Sequence, residues 1–113
     1  MADRLLPALV ALGGFLGATA RYLVGTLAVG PSGTLLVNVA GSFALAAAVG
    51  NVRSTRARTF LMTGLLSSFT TYSTFAMETA SLGLPLGLAN VAATYALGFA
   101  AASLGLFAGR RWA

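Results

Sequence analysis

The chain has 113 residues, 58% of them hydrophobic and 8% charged, and its seven arginines, two acidic residues and no lysine give a net charge of +5. Such a composition excludes an ordinary soluble domain and points to a single membrane domain, 1–113. Cys and His are both absent, which excludes disulfides, thiolate or imidazole metal sites and His- or Cys-based catalysis.

The first apolar segment, about 5–24, exceeds the ~7–15-residue core of a signal peptide and is followed by more spans, so it reads as a retained helix. Gly13 and Gly17 are spaced for close helix contact, with Arg21 one turn further along the same face. After VGPSG (29–33), a second helix is predicted over about 33–52, where Thr34, Asn38 and Ser42 recur at i, i+4 and i+8. The 53–58 connection holds Arg53, Arg56 and Arg58. A third span, about 59–80, carries a polar stripe of Thr63, Ser67, Thr71, Thr74 and Glu78, with Phe69, Tyr72 and Phe75 beside it. A fourth, about 85–108, begins after GLP (83–85) and bears Asn90, Thr94 and Gly98 at one-turn intervals, then a second close-contact pair, Gly105 and Gly109. Each span is long enough to cross ~30 Å of hydrocarbon. The expected fold is all-α, with four transmembrane helices and successive helices antiparallel.

The third span is unusual at its centre, where residues 67–74 read SSFTTYST. A single Ser or Thr in a membrane helix can bond the carbonyl one turn back. Consecutive hydroxyls, however, point all round the helix and weaken it locally, which predicts a break. Carbonyls freed by a break in a membrane need a cation, water or another helix.

With four spans both termini share one side with the 53–58 loop, and that side collects Arg4, Arg53, Arg56, Arg58, Arg110 and Arg111. Counted 6 against 0, or 6 against 1 with Arg21, the bias predicts a multi-pass protein of the cell membrane with both termini cytoplasmic. Arginines at helix ends are a membrane-orientation pattern, so the partner is lipid and not nucleic acid. The carboxylates are Asp3, before the first span, and Glu78, near the far end of the third. Glu78 and Arg21 fall at similar depth and form a candidate ion pair, the alternative being that each reaches water alone.

The donors on these polar lines are the Asn38 amide, Ser and Thr hydroxyls and the positive edges of aromatic rings. They suit a small, hard anion that exchanges its hydration shell for hydrogen bonds. No nucleophile is paired with a base, so an enzyme is not expected.

The ordered motifs GGFLGATARY (13–22), GTLLVNVAGSF (33–43) and TGLLSSFTTYSTFAME (63–78) closely resemble the Fluc (CrcB-like) family of fluoride channels over essentially the whole chain. The resemblance implies passive fluoride export through antiparallel dimers with two pores, around a central structural Na⁺. By position it places Asn38, Tyr72, Ser73, Thr74, Phe75, Asn90 and Thr94 on the fluoride pathway. Tyr72 stands where the family has the first Phe of a pair, keeping a ring edge and adding a hydroxyl. Na⁺ would be held by the backbone carbonyls of Ser67, where the family usually has Gly, and Thr70. Homodimeric members insert both ways and need little arginine bias, so the strong bias here implies a paralogous partner of opposite orientation, with a homodimer as the alternative. Two other readings compete. A proton-coupled multidrug exporter has the same size and helix count but needs a buried Glu in the first helix, which this chain lacks; the other is a non-conducting assembly subunit.

Overall fold

The computed structural model describes residues 2–112; Met1 and Ala113, which the 1–113 domain includes, lie outside the described residues. The long helices are α1 (Leu6–Leu27), α2 (Pro31–Asn51) and α6 (Leu86–Arg111). All three are long and apolar enough to cross a membrane. Between α2 and α6 the chain is helical in pieces: α3 (Thr55–Arg58), a π segment (Thr59–Leu66), α4 (Ser67–Phe69) and α5 (Ser73–Leu82). The third span is therefore broken, as the hydroxyl run predicts, and no strand occurs among the described residues.

Local chemistry sets the ends. Pro7 and Pro31 occupy the first turns of α1 and α2, where a missing N–H costs nothing. Gly30, before α2, has φ 81° and Gly83, after α5, has φ 67°, a left-handed conformation that favours glycine. Ser54 caps α3 by accepting the Ala57 N–H at 3.3 Å. The Arg58 guanidinium donates to the Val52 carbonyl just past α2 at 2.9 Å.

Successive helices form hairpins, yet the closest packing joins alternate ones. A Cβ on Gly105 would collide with the Phe43 carbonyl, and one on Gly109 with that of Ala47, so α2 and α6 lie backbone to backbone and run parallel. In the same way Gly13 faces Phe60 and Gly64, and Gly17 faces Leu65, so α1 runs parallel to the π segment. Both glycine pairs thus serve packing within the chain, the geometry that small residues one turn apart permit.

The third span changes partners at its break. The π segment and α4 pack on α1, whereas α5 packs on α6 and α2. The molecule measures 51 × 29 × 24 Å, long enough to span a bilayer with its ~40–45 Å headgroup-to-headgroup thickness. Its buried apolar residues are few, Val37, Ala48, Leu66, Phe75 and Ala101 among them, while Leu, Phe and Tyr side chains are exposed along α1, α2 and α6. That distribution suits an apolar surrounding rather than water.

Candidate functional site

The site is built around the break. Thr70 ends α4 with extended backbone at ψ 162°, although its N–H and its hydroxyl both still reach the Leu66 carbonyl, at 3.1 and 3.0 Å. Thr71 leaves the helical ladder altogether. Its two backbone groups are taken by one side chain of α2: Asn38 Nδ2 donates to the Thr71 carbonyl at 2.8 Å, and Asn38 Oδ1 accepts from the Thr71 N–H at 2.8 Å. A primary amide matches a peptide group donor for acceptor, so one residue pays both debts of an interrupted membrane helix. Beyond it, Thr71 Oγ1 accepts from Thr74 N at 3.2 Å and starts α5. Gly41, near Asn38 on α2, leaves room for the Thr70 methyl.

Other groups at the break stay free. No N–H or O–H among the described residues donates to the carbonyls of Ser67 or Thr70. The Ser67 hydroxyl donates back to the Thr63 carbonyl instead. These free carbonyls are hard oxygen ligands of the kind an alkali cation accepts, and no group of three or more His, Cys, Asp or Glu offers a rival metal site among the described residues.

Three cavities surround the brace. One, of about 420 Å³, is lined by Arg21, Thr34, Val37, Thr71, Thr74 and Glu78 among others. A second, also about 420 Å³, has Asn38, Thr70, Thr71, Tyr72, Phe75 and Thr94 in its wall. A third, of about 560 Å³, continues along α2 and α6 past Asn38, Ser42, Thr94 and Gly98. Thr71 belongs to the first and second, so the Asn38–Thr71 contact stands between them.

Of the residues singled out in the sequence, Asn38, Tyr72, Phe75 and Thr94 come together on the second cavity, with Ser67 and Thr70 beside them. Thr74 faces the first cavity. Ser73 is exposed, 3.5 Å from Thr71 Oγ1. Asn90 lies apart from all three cavities and donates to Thr79 Oγ1 at 2.9 Å. Thr94 Oγ1 is buried with no hydrogen-bond partner, unlike Ser42, whose hydroxyl donates to the Asn38 carbonyl at 2.7 Å. Arg21 and Glu78 share a cavity but form no salt bridge, and Glu78 Oε1 is buried without a partner. The reason is the change of packing partner, since α5 leans towards α6 and away from the α1 that carries Arg21.

Tyr95, which the polar spacing does not single out, completes a chain of rings. Tyr72 and Phe75 stand 5.9 Å apart, Phe75 and Tyr95 meet edge to face at 6.2 Å and 84°, and Tyr95 and Phe99 follow at 5.9 Å. Phe75 is buried and Tyr72 is 73% exposed, so the two members of the aromatic pair occupy different surroundings. Its signal in the sequence is its place next to Thr94 and one turn before Phe99.

A family model described as CrcB-like protein, Camphor Resistance (CrcB), matches residues 8–106. The chain belongs to the CrcB-like family. It is 55% identical over 104 residues to "Fluoride-specific ion channel FluC 2" of Halobacterium salinarum, an alignment covering 87% of this chain and 81% of the relative. "Fluoride-specific ion channel FluC 1" of Haloarcula marismortui is 49% identical over 111 residues, covering 89% and 87%. The FluC 1 channel of Geobacillus kaustophilus is 41% identical over 113 residues, covering 92% and 97%. With its apolar spans, this CrcB-like chain is a membrane protein.

Proposed function

We propose that the chain is one subunit of a passive, fluoride-selective channel that lets fluoride leave the cytoplasm across the cell membrane. The observation that carries this reading is the braced break with cavities on either side of it, in a chain whose relatives are named fluoride-specific ion channels.

Asn38 has two amide hydrogens and one is committed to Thr71; the other is the donor offered to the ion. Thr94, with its unpartnered hydroxyl, is the next donor. Phe75 and Tyr72 present ring edges, the positive part of an aromatic quadrupole. Thr74 supplies a hydroxyl on the far side of the brace, and Ser73 an exposed one 3.5 Å from Thr71 Oγ1. Asn90 acts from a distance, by holding Thr79 against α6. A fluoride ion is stripped of water only where such donors replace it, and none of these groups is a titratable carboxylate.

Na⁺ would be held by the free carbonyls of Ser67 and Thr70, where it would neutralise the oxygens that the break exposes. Two carbonyls are too few for a cation of this kind, so the remaining ligands come from a second chain in an antiparallel dimer. The arginine bias of 6 against 0 or 1 supports a paralogous partner of opposite orientation over a homodimer.

Fluoride efflux from liposomes containing the purified chain alone, followed with a fluoride electrode after a potassium ionophore and beside chloride-loaded vesicles, tests the reading. Fluoride-selective efflux establishes the activity and a working homo-oligomer. Silence of the chain alone, relieved by an oppositely oriented paralogue, establishes the heterodimer. Silence in both cases overturns the channel.

A further inference from the structure

The arginines are not equivalent. Asp3, the only carboxylate side chain near the arginine-rich end among the described residues, is occupied: it accepts from Arg56 Nε at 2.7 Å and Nη2 at 3.3 Å. Arg58 is turned inward onto the Val52 carbonyl. The C-terminal ends of α2 and α6 lie side by side, since a Cβ on Gly50 would stand 3.1 Å from the Arg110 backbone nitrogen. That packing brings Arg53, two residues past α2, to the same end as Arg110 and Arg111 in the last turn of α6. All three arginines are exposed, and none makes a side-chain hydrogen bond or salt bridge among the described residues. Trp112, 72% exposed, follows directly.

We infer that Arg53, Arg110 and Arg111 form a binding site for the phosphate of an anionic phospholipid headgroup, with the Trp112 ring lying at the interface beside it. Guanidinium groups bind phosphate through paired N–H donors. The position is that of a headgroup, because α2 and α6 are apolar spans that end there, and an indole partitions to the same depth. The lipid is preferred to free phosphate because the cluster opens beside exposed apolar side chains, Phe107 and Leu104 on α6 and Val49 on α2, which suit acyl chains. Such a site requires neither a particular permeating ion nor a particular direction of insertion.

The test uses the full chain in detergent, with phosphatidylglycerol and phosphatidylcholine supplied together and bound lipids counted by native mass spectrometry. The wild type is expected to retain phosphatidylglycerol preferentially. Each arginine removed should weaken that retention about fivefold, from the ~1 kcal/mol that a basic residue contributes at an anionic surface. R53Q/R110Q/R111Q should therefore lose the preference, and R56Q, whose guanidinium is already engaged by Asp3, should keep it. Equal retention of the two lipids by the wild type, undiminished preference in the triple variant, or an equal loss in R56Q would overturn the site. So would displacement of the lipid by inorganic phosphate at matched concentration, which would mark a free-phosphate site. Helicity by circular dichroism is checked first, and if the triple variant does not fold, R110Q alone is read against the same criteria.

Discussion

Asn38 and Thr71, 33 residues apart in sequence, are joined by two hydrogen bonds of 2.8 Å in opposite directions, so that a side-chain amide stands in for the helix that Thr71 has left. Asn38→Asp keeps the acceptor for the Thr71 N–H and removes the donor to its carbonyl. It also sets a carboxylate against that oxygen. A buried polar group left unpaired costs about 1–3 kcal/mol, so the variant should melt lower than wild type in detergent. Fluoride efflux should fall at least about tenfold, the equivalent of ~1.4 kcal/mol on the barrier. Unchanged efflux would remove Asn38 from the pathway even if stability fell.

Phe75 is buried and meets Tyr95 edge to face. Phe75→Ile keeps an apolar side chain but removes three buried carbons along with the ring edge. A stability cost of about 1–3 kcal/mol is expected for such a partial truncation. Efflux per assembled oligomer should drop further than assembly does. Measuring both on the same reconstituted sample separates the roles, and equal flux per oligomer would assign Phe75 to packing alone.

Two glycines of α6 should respond oppositely to one methyl group. At Gly105 an added Cβ meets the Phe43 carbonyl, so Gly105→Ala must push α2 and α6 apart. A cost of about 1–3 kcal/mol is expected for such overpacking. At Gly98 the nearest atom is Ser42 Oγ at 4.0 Å. Gly98→Ala should therefore hold or slightly raise the melting midpoint, because alanine favours the helix by up to ~1 kcal/mol. Equal loss at both positions would mean that α2 and α6 do not meet through Gly105.

The sequence makes some of this architecture visible and hides the rest for physical reasons. Apolar runs mark the three uninterrupted spans because length and hydropathy are local properties. SSFTTYST marks the break because backbone and hydroxyl compete locally. Glycines at four-residue spacing announce a close contact but do not name its partner, so the parallel pairing of α2 with α6 appears only in three dimensions. The Thr59–Leu66 π segment carries no composition signal. Asn38 can be singled out as a polar residue in a span, whereas its match to the Thr71 peptide depends on how two distant segments register. Arg21 and Glu78 agree in depth, yet the break carries Glu78 towards α6, and depth alone could not reveal that.

Asp3 ties the N-terminal segment to α3, and its protonation should release it. Hydrogen bonding from the Arg56 guanidinium, then from the Leu5 N–H, holds its carboxyl below the ordinary value of 3.8. For a carboxylate depressed in the folded state, the stabilisation is present above the ordinary value and is lost as pH falls through the lowered one. The clip should therefore stay closed from neutral pH down to 3.8 and open only in more acidic solution. Amide hydrogen exchange at Leu5, whose N–H donates to Asp3 Oδ1 at 3.0 Å, reads this directly after correction for intrinsic rates. Protection should be flat down to 3.8 and decline below it in the wild type. In Asp3→Ala it should be weaker at neutral pH, close to the level that the wild type reaches in acid, and show no such decline, with fluoride efflux unchanged because both partners lie on the surface. Loss of protection already between pH 6 and pH 5 would show that Arg56 does not hold the carboxylate in the membrane-bound protein.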